Sequence, residues 1–118
     1  MGVFYSLELG TQAAAGDVLA LARDLTIGTW VDECEVTDAD QAETLDRAGF
    51  APTIEILFEP HSPEASESMW KAVQAILGRF DGDAIFTEQY SGVIAQRRAG
   101  ITTVTRDADL SERAGIRL

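Results

Sequence analysis

The sequence predicts an α+β fold, an antiparallel sheet of about five or six strands with two main helices packed on one face. Short segments with alternating apolar residues recur along the chain, two further segments have apolar residues at helical spacing, and the last strands follow one another through tight turns. With 118 residues and an apolar fraction of 46%, we expect residues 1–118 to form one domain.

The first predicted elements are a strand, a helix and a second strand. The strand covers residues 3–9, and the apolar residues on one of its faces are Val3, Tyr5, Leu7 and Leu9. Residues 14–25 predict an amphipathic helix because apolar residues recur at i, i+3, i+4 and i+7, namely Val18, Leu21, Ala22 and Leu25. A second strand is expected over residues 29–36, where Asp32 interrupts a face that consists of Trp30, Cys34 and Val36.

The middle of the chain predicts a short helix, a strand and the longest helix. Thr37 or Asp38 can cap a helix that ends near Gly49, with a thin apolar stripe formed by Ala39, Ala42 and Leu45. Residues 52–59 alternate as a strand, and its inward residues are Ile54, Ile56 and Phe58. Ser62 and Pro63 then start a helix whose stripe should form the centre of the core, namely Met69, Val73, Ile76, Leu77 and Phe80.

The last third predicts three strands and a weak helix. After a turn at residues 81–83, strands are expected over 84–88, 93–98 and 101–105. Ala99 and Gly100 form the turn between the last two strands, because glycine readily adopts the positive φ that a tight hairpin needs. Residues 107–118 are polar and weakly helical, with Leu110 and Ile116 as anchors.

Negative charge is concentrated in the first half of the chain. The net charge is −11, to which residues 1–60 contribute −10 and residues 61–118 contribute −1. Between Trp30 and Asp46 there are seven carboxylates and no lysine or arginine. They are the predicted partner-binding residues: Asp32, Glu33, Glu35, Asp38, Asp40, Glu43 and Asp46. Such charge disfavours binding to nucleic acid or to anionic membranes, and it attracts a basic protein.

The residues do not predict catalysis, a metal or a cofactor. A calcium loop beginning at Asp38 would need glycine at its sixth position and glutamate at its twelfth, where the chain has Glu43 and Gly49. His61 is the only histidine and precedes a helix cap, and Cys34 is the only cysteine. We expect Cys34 to be a small, at least half-buried side chain whose pKa is raised by the carboxylates around it. Spacing alone cannot exclude a catalytic pair of carboxylates in so acidic a chain.

The chain is expected to be cytoplasmic. Its N-terminus has neither a basic start nor a continuous apolar core, so it does not have the pattern of a secretory signal. The apolar runs are also much shorter than the ~20 residues that a membrane-spanning helix requires.

Two stretches carry a family resemblance. The first is Phe4-Tyr5-Ser6-Leu7-Glu8-Leu9 and the following Val18-Leu19-Ala20-Leu21; the second begins at Ala48-Gly49-Phe50-Ala51-Pro52-Thr53 and continues to Gly82-Asp83-Ala84, Gly92-Val93 and Arg97-Arg98-Ala99-Gly100. The chain resembles the swarming-inhibition (Sit) immunity protein family. The resemblance implies a protein of similar size that protects a cell against a cognate toxin and has no catalytic residues.

The leading hypothesis is an immunity protein that binds a basic cognate toxin through the acidic stretch, with Trp30 and Tyr90 as candidate anchors. The alternative is a small α+β enzyme or ligand-binding domain with a pocket between sheet and helix. That alternative would show convergent polar groups around a carboxylate of raised pKa. Homo-oligomerisation through a strand edge stays open, and so does a merely solvated acidic surface.

Overall fold

One antiparallel sheet organises the chain. A computed structural model describes residues 3–89 and 92–116. The elements are β1 Tyr5–Gly10, α1 Ala15–Leu25, β2 Thr29–Cys34, α2 Asp38–Ala48, β3 Ile54–Pro60, α3 Pro63–Arg79, β4 Asp83–Glu88, β5 Gly92–Arg98, β6 Ile101–Val104 and α4 Ala108–Arg113. The strand order is β2-β3-β1-β4-β5-β6, with every neighbouring pair antiparallel, which confirms the α+β class. None of the described helices is long and apolar enough to cross a membrane.

The main core lies on the face of the sheet that α1, α3 and α4 cover, which we call the helix face. Alternation places one side of each central strand on this face, and the pattern found in the sequence for β1 and β3 is confirmed. Fully buried residues of this core are Leu7, Leu9, Ile56, Phe58, Met69, Val73 and Ile76. Each large apolar side chain contributes about 1.5–3 kcal/mol through its burial. The predicted anchors Leu110 and Ile116 attach α4 to the same core.

Two helices begin at the capping residues that the sequence predicts. Ser62 Oγ accepts a hydrogen bond from the Ala65 backbone N–H at 3.0 Å at the start of α3. At the start of α2, Thr37 Oγ1 accepts from the Asp40 N–H at 3.1 Å, and the Asp40 carboxylate accepts from the Thr37 N–H at 3.0 Å. This reciprocal pair satisfies backbone donors that the first turn leaves free. Asp40 is therefore a structural residue of α2.

Helix α2 lies on the opposite side of the sheet, which we call the groove face. The predicted apolar stripe of α2 is wrong, because Ala39, Ala42 and Leu45 are all exposed. The buried residues of the helix are Thr44 and Ala48. In the described part of the chain, a small apolar cluster supports α2 at its end, where Ala48 and Phe50 pack with Ile85. A helix with so little apolar surface needs polar contacts to hold it on the sheet.

The strand β2 presents its faces differently from the expectation. The inward residue is Val31, which is 7% exposed, whereas Trp30, on the opposite face, is 44% exposed. Trp30, Asp32 and Cys34 therefore lie on the groove face. The carboxylate of Asp32 is thus kept away from the main apolar core, which lies on the helix face. The first strand also begins later than predicted, at Tyr5, and Val3 is exposed.

Two adjacent arginines connect the sheet to helices on both faces. Arg97 is buried and donates to three backbone carbonyls at the end of α3: Gly82 O at 2.7 Å, Phe80 O at 2.6 Å and Leu77 O. Arg98 points to the groove face, where it donates to Ala48 O at the end of α2 and lies 3.6 Å from an Asp83 carboxylate oxygen. Both guanidinium groups satisfy carbonyls at the negative end of a helix dipole.

Replacing Arg97 should destabilise the fold. In Arg97→Ala, the carbonyls of Leu77, Phe80 and Gly82 lose the donors of a buried side chain, and we expect the free energy of unfolding to fall by about 2–4 kcal/mol. Urea denaturation followed by circular dichroism measures this change. Arg106→Ala, at an exposed position after β6, is the matched control and should change stability by less than about 0.5 kcal/mol. Equal effects of the two substitutions would contradict the capping role.

Candidate functional site

A groove of about 450 Å³ lies on the groove face between α2 and the central strands. Most of the residues that line it are polar, and several of them are acidic. The side chains that line it from β1, β3 and α2 are Ser6, Glu8, Asp40, Glu43, Thr44, Arg47 and Glu55. The alternation of β1 explains its floor, because the strand directs Tyr5, Leu7 and Leu9 to the helix face and Ser6 and Glu8 to the groove.

Glu8 is the buried charge at the base of this groove. The residue is 7% exposed, and its carboxylate accepts hydrogen bonds from Thr44 Oγ1 at 2.5 Å and from Arg47 Nη2 at 3.0 Å. Burial raises the pKa of Glu8, and the hydrogen bond from Thr44 opposes that effect. The Glu55 carboxylate raises the pKa further, while Arg47 lowers it. Both donors belong to α2, so Glu8 attaches the acidic helix to the sheet.

The three acidic residues of the β2 region do not share one side of the strand. Asp32 is on the groove face, and its carboxylate oxygen lies 3.4 Å from Arg23 Nη2 of α1. Glu33 follows on the helix-face side, because consecutive strand residues alternate. Glu35, just after the strand, is exposed like the other two. These acidic residues therefore lie along the β2 edge of the sheet, with Asp32 and Glu33 on opposite faces.

The four acidic residues of α2 divide between the groove and the solvent. Asp40 and Glu43 line the groove, where they lie with Glu8 and Glu55. Asp38 and Asp46 are exposed. Because successive residues turn by about 100° around a helix, Asp46 lies nearly opposite the buried side of α2. Six of the seven predicted residues are exposed, with Asp40 half-buried in its capping role.

An aromatic patch adjoins the acidic groove. The Phe4 and Trp30 rings meet edge to face with their centroids 5.9 Å apart. A second hollow, of about 400 Å³, is lined by Phe4, Tyr5 and Leu57. It shares Ser6, Glu55 and Gln89 with the main groove. The groove face therefore changes from acidic beside α2 to apolar beside Trp30. Sequence analysis found Trp30, while its other candidate anchor, Tyr90, lies outside the described residues.

Four residues of this face were missed from the sequence: Phe4, Glu8, Glu55 and Leu57. Glu8 had a detectable signal, since it is a carboxylate within a strand that is otherwise uncharged. Glu55 and Leu57 were treated as the ordinary outer side of an alternating strand. Only the position of α2 over the sheet makes that side the floor of a groove.

The remaining candidates for chemistry have structural surroundings. Cys34 is half-buried; burial, a hydrogen bond to Glu55 and the charge of that carboxylate raise the pKa of its thiol to about 11. The predicted direction of this pKa shift is confirmed. His61 is exposed between β3 and α3, with Nε2 3.6 Å from Glu59 Oε1. Within residues 3–89 and 92–116, no group of three or more His, Cys, Asp or Glu side chains is arranged to hold a metal ion.

Comparison of this chain with known protein families shows the family to which it belongs. The SitI3-like family model matches residues 3–114, which is nearly the whole chain. The chain therefore belongs to the SitI3-like family, and the predicted relation to the Sit immunity proteins is confirmed. Neither a curated protein nor a solved structure gives a significant match.

The pH dependence of stability should reveal Glu8. Its pKa is raised in the folded protein, so the folded state binds the proton more tightly than the unfolded state does. The contribution of Glu8 to stability is therefore present in full below the ordinary carboxyl pKa of 4.5 and is lost as pH rises through the raised value. We expect the stability of the wild type relative to Glu8→Gln to be greater at pH 4 than at pH 7.

Urea denaturation of both proteins at a series of pH values measures this difference. The Thr44→Val variant is informative because it removes the hydrogen bond that opposes burial. The pKa of Glu8 should then rise further, and the loss of stability should shift to higher pH. A pH-independent difference between the wild type and Glu8→Gln would show that Glu8 titrates normally in the folded protein.

Proposed function

We propose that the protein is an immunity protein that binds a cognate protein toxin through the β2 and α2 region and neutralises it. Membership of the SitI3-like family is the observation that supports this proposal most directly. The acidic residues Asp32, Glu33, Glu35, Asp38, Asp40, Glu43 and Asp46 are its proposed partner-binding residues. The proposed toxin presents a basic surface to them, because opposite charge accelerates association and selects the orientation of docking.

The exposed carboxylates suit such an encounter. In the described part of this region, Arg23 beside Asp32 and Arg47 beside Glu8 are the basic residues with ion pairs to acidic side chains. The outward residues of α2, Asp38 and Asp46, are exposed. A partner that comes within about one Debye length of them, ~8 Å, is attracted with little screening. Long-range attraction of this kind raises the association rate constant more than it slows dissociation.

The aromatic patch provides the short-range part of the interface. Trp30 combines an exposed ring with a fixed contact to Phe4, so it loses little conformational freedom on binding. Tryptophan is enriched among the residues that dominate interface energies, particularly where polar groups surround it. We therefore place a basic segment of the toxin along the groove, with an apolar side chain against Trp30 and Leu57.

In this proposal the protein acts by binding the toxin and not as an enzyme, and its function needs no cofactor or metal. Its proposed place of action is the cytoplasm, where a delivered toxin would meet its target. The test of the function is protection: a toxin-like reading frame next to the gene is expressed in a sensitive host with and without this protein. Restored growth, together with a purified complex of the two proteins, is expected. Continued toxicity despite stable expression of this protein would contradict the function.

Reversing the exposed charge should slow association. The triple variant Asp38→Lys, Glu43→Lys and Asp46→Lys retains Asp40, because that side chain caps α2. We expect the association rate constant with the toxin to fall about 10- to 100-fold at low salt, since the attraction becomes repulsion. Surface plasmon resonance at several salt concentrations measures the rate constants.

The matched control is Asp81→Lys, Asp109→Lys and Glu112→Lys, which changes net charge equally at exposed positions elsewhere. Its association rate constant should stay much closer to that of the wild type. If the two triple variants associate equally slowly, net charge alone would govern association. If neither differs from the wild type, the acidic helix does not face the toxin.

Removing the exposed ring should accelerate dissociation. In Trp30→Ala the toxin loses an apolar contact worth about 1.4–2 kcal/mol, so the dissociation rate constant should rise about 10- to 30-fold while association changes little. Thermal denaturation of the free variant checks that the sheet is intact. Val104→Ala removes another exposed apolar side chain, on β6 at the opposite edge of the sheet from β2, and serves as the control. Similar dissociation rates for the wild type and Trp30→Ala would exclude Trp30 from the interface.

One observation favours a second candidate function, the binding of a small ligand. The groove contains a carboxylate of raised pKa among convergent polar groups, as the alternative hypothesis required. Its ligand would be a small cationic molecule that pairs with Glu43 and Glu55. A thermal-shift screen with amines, metal ions and common metabolites tests this function. A shift that Glu55→Gln abolishes would support it, and no shift across the panel would exclude those ligand classes.

A further inference from the structure

The edge strand β6 consists of four β-branched residues whose side chains are all exposed. Ile101, Thr102, Thr103 and Val104 are all exposed, with Ile101 69% and Val104 40% accessible. The strand pairs with β5 on one side, and no other described segment pairs with its outer edge. It contains no lysine, no proline and no bulge, which protect many edge strands, and its short length is the protection that it has. The opposite edge of the sheet, β2, has the charged residues Asp32 and Glu33.

The register of the hairpin determines which backbone groups are available on that outer edge. The Thr105 N–H donates to Ile94 O at 2.7 Å, and Thr103 lies opposite Gln96. Because bonded pairs alternate along antiparallel strands, Ile101 and Thr103 direct their N–H and C=O groups to β5. Thr102 and Val104 direct theirs outward. A second strand can therefore bond to both of these residues.

The distribution of charge favours a second copy of this chain at the β6 edge over one at the β2 edge. Residues 1–60 form β1, β2 and β3 at the far end of the sheet and contribute −10 of the −11 net charge. The strand β6 itself is uncharged. If two copies met at β6, their β2 strands would be separated by eleven strand spacings, or about 50 Å. That distance is several times the Debye length of about 8 Å, so the acidic ends would scarcely repel each other.

We propose that the protein self-associates through β6 and forms a two-fold symmetric dimer with one continuous antiparallel sheet. In the register that uses all the outward groups, Thr102 bonds with Val104 of the second copy and Val104 bonds with Thr102, which makes four backbone hydrogen bonds. The two-fold axis then passes between the two Thr103 residues, whose side chains lie close together as a non-hydrogen-bonded pair. Both acidic ends stay accessible, so each dimer can bind two partners.

The proposed dimer is weak. Four residues of strand bury much less than the ~1,200 Å² of a standard stable interface, so we expect it to be populated at concentrations of hundreds of micromolar. Added salt should increase the dimer fraction because it screens the remaining repulsion between two copies of net charge −11. Analytical ultracentrifugation of the full chain from about 10 µM to 1 mM, at low salt and in about 0.5 M NaCl, measures both effects.

Charge pairs at Thr103 test the register. Thr103→Lys alone and Thr103→Glu alone should each be monomeric, because like charges would meet across the two-fold axis. An equimolar mixture of the two variants should dimerise again, since opposite charges then face each other. Both substitutions are at an exposed side chain and leave the β5–β6 hydrogen bonds unchanged. The control pair Gln74→Lys and Gln74→Glu, on the exposed side of α3, should dimerise as the wild type does.

Each outcome decides the proposal. A wild type that stays monomeric at 1 mM in high salt would overturn it. A wild type that dimerises while both Thr103 variants also dimerise would overturn it too, because the contact would then lie elsewhere. Restored association only in the mixture supports the β6 pairing and its register. The result is independent of the toxin, since the dimer leaves the acidic region of each copy free.

Discussion

The attachment of α2 depends on the buried carboxylate of Glu8. This helix has little apolar surface to pack, and Thr44 and Arg47 attach it to the sheet through a hydrogen bond and an ion pair with Glu8. Burying a carboxylate is costly unless donors satisfy it, and α2 provides both donors. The sheet and the helix therefore stabilise each other, and the acidic residues of α2 are held in position because Glu8 is in the core strand.

The two faces of the sheet differ in how much apolar surface they bury. The helix face contains nearly all of the apolar core, and Arg97 closes the end of α3 on that side. Among the described residues, the apolar cluster buried on the groove face is the small one around Ile85, so this face can display polar and aromatic side chains. A stable apolar layer on one side thus supports an exposed, chemically varied layer on the other. That division leaves the groove face available for the partner proposed above.

Most elements were predictable because their signals are local. The caps at Thr37 and Ser62 and the alternation of β1 and β3 are set by neighbouring residues, so helix starts and strand faces followed from the sequence. The side of β2 and the buried side of α2 were wrong. In both places charged and apolar residues alternate without a clear preference, and the neighbouring element decides which side is covered. A short apolar pattern predicts the buried side of an element poorly where polar contacts hold that element in place.

By itself, the sequence determined the α+β class, the concentration of charge in residues 1–60 and the relation to the Sit family. Only the tertiary structure decided that α2 crosses the groove face, that Glu8 and Glu55 line its floor, and that β6 is an edge of the sheet. The physical reason is distance along the chain. Charge and periodicity are properties of neighbouring residues, whereas a groove or a sheet edge exists only after segments far apart in sequence have packed together.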